Sequence, residues 1–100
     1  MVEMKKYMTR GVQECIPFDL VVLMWQMYDR CKEEMNPCDY LHVFQLKRLE
    51  GEVLNQEITH KQEVPEYERT YVINIDHPIT EKVYVIENED YVTMLLANEY

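Results

Sequence analysis

The chain has 100 residues, of which 47% are hydrophobic, so it can bury one sizeable core and is not expected to be disordered. Nineteen acidic residues against ten basic ones give a formal net charge of −9. A chain this acidic repels phosphate, which disfavours direct binding to nucleic acid or to an anionic membrane and favours a basic protein partner. Eleven acidic but three basic residues lie in residues 51–100, so the negative charge belongs mostly to the second half.

The cysteines and histidines predict free thiols rather than a metal site. No secretory signal is recognised, and the longest apolar run, at residues 20–25, is far too short to cross a membrane. A reducing, cytoplasmic setting is therefore expected. No C-x-x-C pair occurs and no histidine stands at metal-ligand spacing from a thiol, so neither a zinc site nor a cofactor is predicted. The residues concerned are Cys15, Cys31, Cys38, His42, His60 and His77.

The first third of the chain predicts an extended segment and then a helix. Residues 6–16 alternate loosely and are predicted to form a short strand or extended arm that breaks at Gly11. Pro17 then begins a helix, because proline is tolerated in a first turn where its missing N–H would have no partner. The helix is predicted to run from residue 18 to residue 35 and to stop before Asn36-Pro37.

This predicted helix is apolar on two sides. The side spaced i, i+3, i+4, i+7 is assigned to the core and comprises Leu20, Leu23, Met24, Met27, Tyr28 and Cys31. Phe18, Val22 and Trp25 lie one turn apart on nearly the opposite side. This second stripe is either sandwiched between layers or offered to a partner, and both alternatives remain open.

The remaining residues are predicted to form strands. Residues 40–49 and 53–61 make a hairpin around a tight Glu50-Gly51 turn, and residues 70–75 and 82–87 follow. Residues 91–97 favour a strand over a short helix capped by Asp90. A meander without parallel pairing is expected, because no helix separates the later strands. The fold class is therefore α+β: one domain over residues 1–100, with one long N-terminal helix packed on a four- to five-stranded antiparallel sheet.

The sequence contains no catalytic signature. It has no serine and no glycine-rich phosphate loop. Cys38 and His42 would lie about 13 Å apart along a strand, so a Cys–His nucleophile is not expected. The dense carboxylate clusters fall in predicted turns, where they are usually solvated: Glu63, Glu66 and Glu68, then Glu87, Glu89 and Asp90. No catalytic residue is predicted, and the protein is expected not to be an enzyme.

Three stretches of the chain resemble one small bacterial family. They are Tyr7 to Val12 followed by Ile16-Pro17, His60 to Pro65, and Asp90 to Tyr100. Together they are similar, over nearly the whole chain, to the family catalogued as domain of unknown function nine-sixty. The resemblance implies a cytosolic single domain from Gram-positive bacteria and their mobile elements, and it implies no reaction.

A second, local resemblance bears on function. The segment Gln13-Glu14-Cys15-Ile16 is similar to the Gln-Glu-Ser-Ile segment of phage uracil-DNA glycosylase inhibitors. In that family the glutamate engages the phosphate-binding part of the enzyme's DNA cleft, and a hydrophobic pocket takes up the apolar side chain that the enzyme inserts into DNA. The resemblance implies that Glu14 mimics a phosphate, although Cys15 replaces the serine and Pro17 follows at once.

The leading hypothesis is therefore a DNA mimic that inhibits a DNA-processing enzyme, most specifically uracil-DNA glycosylase. Spaced carboxylates can imitate a row of phosphates for a partner with a basic DNA-binding cleft. This hypothesis requires Glu14 to share one face with the acidic turns. Its predicted contact residues are Gln13, Glu14, Ile16, Met24, Trp25, Met27, Glu87, Glu89 and Asp90.

The alternative is a generic protein-interaction or accessory module without DNA mimicry. It would bind its partner through Phe18, Val22 and Trp25, and the acidic residues would serve only solubility. A small enzyme that uses a cysteine or a carboxylate ranks below both hypotheses, because no nucleophile and base have a suitable spacing.

Overall fold

The computed structural model describes residues 4–35, 38–51 and 53–100. Two helices follow the first strand and five further strands complete the fold. In chain order the elements are β1 (Lys5–Met8), α1 (Arg10–Cys15), α2 (Phe18–Glu34), β2 (Leu41–Arg48), β3 (Gln56–Gln62), β4 (Tyr67–Ile73), β5 (Glu81–Glu87), β6 (Tyr91–Leu96) and a short 3-10 helix (Ala97–Glu99).

The six strands form one mixed sheet in the order β1-β6-β5-β2-β3-β4. All neighbours are antiparallel except β1 and β6, which are parallel. Strands β2, β3 and β4 follow one another as hairpins, and β5 returns to lie beside β2, which is the Greek-key arrangement. The α+β class is confirmed, whereas the purely antiparallel four- to five-stranded meander is wrong.

The predicted strand pairing is wrong where a strand pairs with a partner that is distant in the chain. A parallel partner needs only a long connection, and the whole chain between β1 and β6 supplies one. The connection from β2 to β3 is longer than the predicted tight Glu50-Gly51 turn, since β2 ends at Arg48 and β3 begins at Gln56, and the Leu49 N–H donates to the Asn55 carbonyl at 2.8 Å. The strand predicted for residues 91–97 is confirmed as β6.

Helix α2 covers one face of the sheet, and the core lies between the two. The helix predicted for residues 18–35 is confirmed, with Met35 as its C-cap, although a strand and a short helix precede it. Its buried side and one face of the sheet form a single cluster. The cluster comprises Val12, Ile16, Leu20, Val21, Met24, Met27, Tyr28, Phe44, Leu46, Ile58, Val83, Val85, Val92, Met94 and Leu96.

Helix α1 lies where the sequence predicted the end of an extended arm. Its N-cap is Thr9, whose hydroxyl oxygen accepts the Val12 N–H at 3.2 Å and whose O–H donates to Glu99 at 2.7 Å. Gly11 permits this approach, since a Cβ there would lie 2.7 Å from a Glu99 carboxylate oxygen. Glu99 also accepts the Leu96 N–H at 2.8 Å. The helix therefore depends on a residue 90 positions after its own cap.

The loop from β4 to β5 is held by two amide side chains. Asn55 donates to the Ile75 carbonyl at 2.8 Å and accepts the Ile75 N–H at 2.9 Å. Gln56 is fully buried and accepts the Ile79 N–H at 2.8 Å. Its own N–H groups donate to the carbonyl oxygens of Lys47, Glu57 and Ile79 at 3.0–3.2 Å. The crossing that makes the Greek key is thus hydrogen-bonded to the first residues of β3.

The strand registers define two ends of the sheet. The turns after β3 and β5 lie at one end, together with the C-terminal end of α2, because Leu41 pairs with Ile86 and Val43 with Lys61. We call this the acidic end, since Glu63, Glu66, Glu89 and Asp90 occupy its two turns. The opposite end carries α1, which follows β1 where β1 runs parallel to β6, and we call it the α1 end.

Candidate functional site

Three side chains that can ligate a metal meet beneath α2 near the acidic end. Cys31 comes from the last turns of α2, His42 from the start of β2 and His60 from β3. The Cys31 sulfur and one ring nitrogen of each histidine lie within 4.8 Å of one another. All three residues have 0% of their surface exposed. This group is called the Cys-His-His cluster below.

Simple periodicities bring the cluster together. His42 alternates in phase with Phe44 and Leu46, so it faces the core from β2. His60 likewise alternates with Ile58 on β3, and the register places His60 opposite Phe44. Cys31 stands at the C-terminal end of the buried stripe of α2. Helix and sheet therefore point these side chains into one volume.

The two histidines share one hydrogen bond, and the Asp39 backbone is near enough to His42 to favour its protonated form without forming a well-aligned hydrogen bond. His42 Nδ1 and His60 Nε2 are 2.9 Å apart, and the outer nitrogens, His42 Nε2 and His60 Nδ1, have no partner among the described residues. Burial lowers the pKa of both rings, and the neighbouring His42 further lowers the pKa of His60, to about 3. Both imidazoles are consequently neutral at neutral pH.

Aromatic rings enclose the histidine pair. Phe44 stacks on His60 with ring centroids 4.2 Å apart, and Tyr67 meets the same ring edge-on at 5.4 Å. Tyr28 meets His42 edge-on at 4.9 Å. These contacts exclude water from the rings and explain why burial dominates the lowered pKa values.

The Cys31 thiol completes the cluster as a protonated group. It donates to the Gln62 side-chain oxygen at 3.7 Å, and the Cys38 thiol lies close by, 3.5 Å from the Cys31 carbonyl oxygen. Burial, reinforced by Cys38, raises the pKa of Cys31 to about 12. A thiol held in its neutral form is a poor nucleophile, so the cluster does not resemble a Cys–His catalytic pair.

Glu87 is not the solvated turn carboxylate that the sequence predicted. It ends β5 on the helix side of the sheet, where it accepts the Tyr28 hydroxyl and pairs with Lys32 at 2.6 Å. Its side chain is 17% exposed. Burial, together with the Glu87 carboxylate, raises the pKa of Tyr28. This carboxylate is therefore occupied within the fold, whereas Glu89 and Asp90 are exposed.

The sheet face opposite α2 carries an apolar patch beside polar and charged side chains, and no helix of the described residues packs across it. Side chains from β2, β5 and β6 line up across it because the register pairs Leu41 with Ile86 and Val43 with Tyr84. The half-buried members of this face are Leu41, Val43, Tyr84, Ile86 and Leu95. An apolar patch on a sheet face outside the core is typical of an interaction surface.

A cleft of about 520 Å³ opens on this face near the acidic end. Its apolar lining comes from Tyr40, Leu41 and Val43. Four carboxylates surround it, Asp39, Glu63, Glu66 and Glu68, together with Lys61 and Lys82. Burial opposes ionisation of Asp39, but backbone N–H donors, among them Val64 at 3.2 Å, outweigh it and lower its pKa. The cleft thus combines an apolar floor with a negative rim.

The residues predicted on α2 divide between surface and core. Phe18 is 75% exposed and Val22 38% exposed, one turn apart. Trp25 is half-buried, packs against the core and lies beneath the Lys6 ammonium, 5.6 Å from the ring centroid. Three of the contact residues predicted for the DNA-mimic hypothesis are buried in the core and face no partner: Ile16, Met24 and Met27.

Glu14 and the acidic turns lie at opposite ends of the sheet. Gln13 and Glu14 are exposed on α1, at the end of the sheet where β6 finishes. Glu89 and Asp90 precede β6 at the other end. The length of β6 separates these ends by about 17 Å. The single face that the DNA-mimic hypothesis requires for Glu14 and the turns is therefore not formed.

The spacing of cysteines and histidines along the chain does not predict the Cys-His-His cluster, because its three residues come from three different elements. The sequence did contain a signal, since His42 shares the phase of Phe44 and Leu46 in one predicted strand and His60 that of Ile58 in the next. A histidine on the core side of each of two paired strands favours contact between them. Cys31 could not be added from the sequence, because its position depends on where α2 crosses the sheet.

Comparison with known proteins places the chain in a family. The family model for a staphylococcal protein of unknown function (DUF960) matches residues 5–99. The chain belongs to this family. The resemblance to domain of unknown function nine-sixty is thereby confirmed, while the resemblance of residues 13–16 to glycosylase inhibitors stays a prediction.

A solved structure shares the fold of this DUF960 protein. It is the crystal structure of the protein of unknown function from Enterococcus faecalis, with a TM-score of 0.80 and 19% sequence identity over 100% of this chain and 98% of that chain. At this identity the likeness concerns the fold alone. None of the curated proteins matches the chain. In the described residues, every helix is too short or too polar to cross a membrane.

Proposed function

We propose that this DUF960 protein is a protein-binding protein that acts without catalysing a reaction. It would hold a segment of its partner that carries both apolar and basic side chains. The observation that carries the proposal is the cleft on the uncovered sheet face, with its floor of Tyr40, Leu41 and Val43 and its rim of carboxylates. The free thiols Cys15 and Cys38 favour a reducing, cytoplasmic setting for this binding.

The chemistry of the rim selects a basic partner. Among the described residues, Asp39, Glu63 and Glu66 form no salt bridge, and the Lys61–Glu68 pair is loose, at 3.6 Å with both side chains more than half exposed. Unpaired rim carboxylates speed the approach of a positive partner and fix its orientation. Apolar side chains of the partner that are buried against the floor of the cleft would stabilise the complex and slow its dissociation.

Site-specific photocrosslinking tests the location. A photoreactive amino acid at position 40 lies in the cleft, and the same amino acid at position 18 replaces the exposed Phe18 on the opposite layer. We expect crosslinks in host cells from position 40 to a partner segment rich in Lys or Arg. Crosslinks from position 18 and none from position 40 would overturn the cleft and favour the Phe18–Val22 patch.

Charge reversal tests the chemistry. Glu63→Lys combined with Glu66→Lys should weaken binding of the crosslinked partner at least tenfold and reduce the dependence of association on salt. The matched control is Glu14→Lys, an exposed carboxylate at the other end of the sheet. Equal effects of the two reversals would mean that net charge, rather than the cleft, drives association.

Inhibition of uracil-DNA glycosylase by DNA mimicry is the more specific form of this proposal. Its support is the acidic end, where strand spacing sets the two turns about 14 Å apart along one edge. In this form of the proposal the carboxylates of the two turns imitate phosphates, and Glu14 does not contact the enzyme. The test adds equimolar protein to the glycosylase and a uracil-containing oligonucleotide. Undiminished cleavage would exclude inhibition of the glycosylase, and the proposal of a different basic partner for the cleft would still stand.

A further inference from the structure

We propose that the Cys-His-His cluster binds one zinc ion per chain through Cys31 Sγ and one ring nitrogen each of His42 and His60. The cluster lies on the other face of the sheet from the floor of the proposed protein-binding cleft, and Gln62 and Tyr67 border both. Zinc would tie the C-terminal end of α2 to the two central strands β2 and β3.

The spacing of the donor atoms is close to that of a tetrahedral site. Zinc bonds of about 2.0–2.1 Å to nitrogen and 2.3 Å to sulfur place two nitrogens about 3.3 Å apart and a nitrogen and a sulfur about 3.6 Å apart. The facing nitrogens of His42 and His60 are 2.9 Å apart and hold the hydrogen bond between the rings, so the rings are close enough for one nitrogen of each to reach a single ion. One nitrogen of each ring and the Cys31 sulfur lie within 4.8 Å of one another. Rotation of the rings, which opens the hydrogen bond between them, would turn a lone-pair nitrogen of each towards the ion.

Hydrogen bonding within the protein leaves the histidine pair incomplete. Only one of the two facing nitrogens carries the shared proton, so one outer nitrogen holds an unpaired N–H and the other an unpaired lone pair. An unsatisfied polar atom in a fully buried residue is unusual and points to a ligand that the protein chain does not supply. A ring nitrogen with a free lone pair is the form in which histidine binds metal.

The donor set selects zinc among the common ions. Two imidazoles and one thiolate suit borderline and soft metals, and they do not suit magnesium or calcium, which prefer oxygen ligands. Glu87, whose charge acts on His42, is engaged by Tyr28 and Lys32. Binding forms two zinc–nitrogen bonds and one zinc–sulfur bond and releases the Cys31 proton to solvent, with no oxidation or reduction.

Neighbouring groups can support the bound ion. Cys38 is the nearest additional thiol, since its hydrogen bonding and electrostatics are coupled to those of Cys31, and it is the group we assign to the fourth position. Gln62 is fixed by the Asp39 N–H at 3.2 Å and the Pro65 carbonyl at 2.7 Å. Its side-chain oxygen accepts the Cys31 S–H in the metal-free protein, and this hydrogen bond is lost when the thiol gives up its proton to bind the ion.

The test is a cobalt titration of the full-length, reduced, metal-free protein. Cobalt(II) at a tetrahedral site with a thiolate ligand gives visible absorption and a thiolate-to-cobalt charge-transfer band, and we expect both to saturate at one ion per chain and to disappear when zinc is added. Because the cluster is fully buried, the titration is repeated by refolding the chain with the metal present.

Matched variants locate the binding. Cys31→Ser and His60→Leu should each weaken zinc binding more than about 100-fold, the upper effect of losing a supporting group alone. Cys15→Ser and His77→Leu are the controls, because both residues are exposed and lie outside the cluster. Cys38→Ser tests the fourth ligand and should weaken binding less than Cys31→Ser.

X-ray absorption of the zinc-loaded native protein keeps the test decisive if a variant misfolds. We expect at least one sulfur and two imidazoles around the ion. A shell of nitrogen and oxygen alone, no charge-transfer band by either loading route, or loss of binding in the Cys15 and His77 controls would each overturn the site.

Discussion

Gln56 and His60 face the same core from the same strand, yet their hydrogen bonding differs. Gln56, near the α1 end, uses its oxygen and both amide hydrogens to hold the loop before β5. His60, near the acidic end, bonds only to His42 and leaves one nitrogen of each ring without a partner among the described residues. A saturated buried amide is explained by the fold it stabilises. The histidine pair is not, and this difference is why we assign it a ligand.

The largest expected difference between the two regions is in their response to acid. In the metal-free protein both histidines are neutral when folded, because burial lowers the pKa of His60 to about 3 and that of His42 below its ordinary value of 6.5. Between pH 6.5 and about pH 3 the unfolded chain therefore binds a proton at His60 that the folded protein excludes, and His42 adds to this from pH 6.5 down to its own lowered pKa. The free energy of unfolding should fall across this window by on the order of 4 kcal/mol.

Urea unfolding followed by circular dichroism at several pH values measures this fall. Carboxylates also titrate at the lower end of the window, so the informative quantity is the difference from a His42→Leu/His60→Leu double variant. That variant should lose most of the slope between pH 6.5 and pH 4.5. An unchanged slope would show that the histidines are not excluded from protonation in the fold.

Removing the saturated amide should be the next largest effect. Gln56→Leu leaves the buried Ile79 N–H and three carbonyl oxygens without this partner, which costs about 3 kcal/mol. The same unfolding measurement at pH 7 checks it, with Gln45→Leu as the control, because Gln45 is exposed on the other face of the sheet. Equal stabilities of the two variants would contradict the structural role of Gln56.

Replacing the whole histidine pair, unlike replacing Gln56, should change the free energy of unfolding very little. A single His42→Leu change leaves both nitrogens of His60 without a hydrogen-bond partner. It should lower the free energy of unfolding of the metal-free protein by about 1–3 kcal/mol. The double variant His42→Leu/His60→Leu removes every unpaired polar atom of the pair and should stay within about 1 kcal/mol of the native protein. A double variant less stable than either single variant would show that the pair is itself a stabilising network.

The smallest effect is expected at Glu99, on the surface of the α1 end. The Thr9 hydroxyl, with backbone N–H groups of Leu96 and Gly11, holds the pKa of Glu99 below its ordinary value of 4.5. Its contribution is therefore present above pH 4.5 and is lost as the pH falls through the lowered folded value. Glu99→Gln should lower the thermal midpoint slightly at pH 7 and not at pH 3. Thr9→Val also removes the cap on the Val12 N–H and should lower the midpoint at both pH values. A midpoint lowered equally at both pH values by Glu99→Gln would contradict the role of the charge.

Local periodicity predicted those elements whose residues carry their own signal. The apolar stripe of α2 and the alternation in β2, β5 and β6 were readable because burial on one side imposes a period of 3.6 or 2 along the chain. Helix α1 carried no such signal. It is six residues long, and its cap is completed by Glu99 from the other end of the chain.

For the candidate binding surfaces too, the sequence predicted local features but did not predict how distant residues are arranged in space. The sequence indicated which stretches are acidic and that Phe18 and Val22 form a second stripe on α2, and both residues are exposed. It could not indicate that Glu14 lies a strand's length from the acidic turns. That separation follows from the parallel pairing of β1 with β6, which places α1 at the far end of the sheet.

The sequence by itself determined the α+β class, the span of α2, most strands and the concentration of negative charge in the second half. These follow from composition and from short-range periodicity, which each segment carries alone. The tertiary structure alone decided that β5 returns beside β2, that α2 and the rest of residues 4–35, 38–51 and 53–100 leave an apolar patch of the other sheet face exposed, and that Cys31 meets His42 and His60. Contacts between residues distant in the chain depend on how the helix and the strands pack together, and no single segment records that packing.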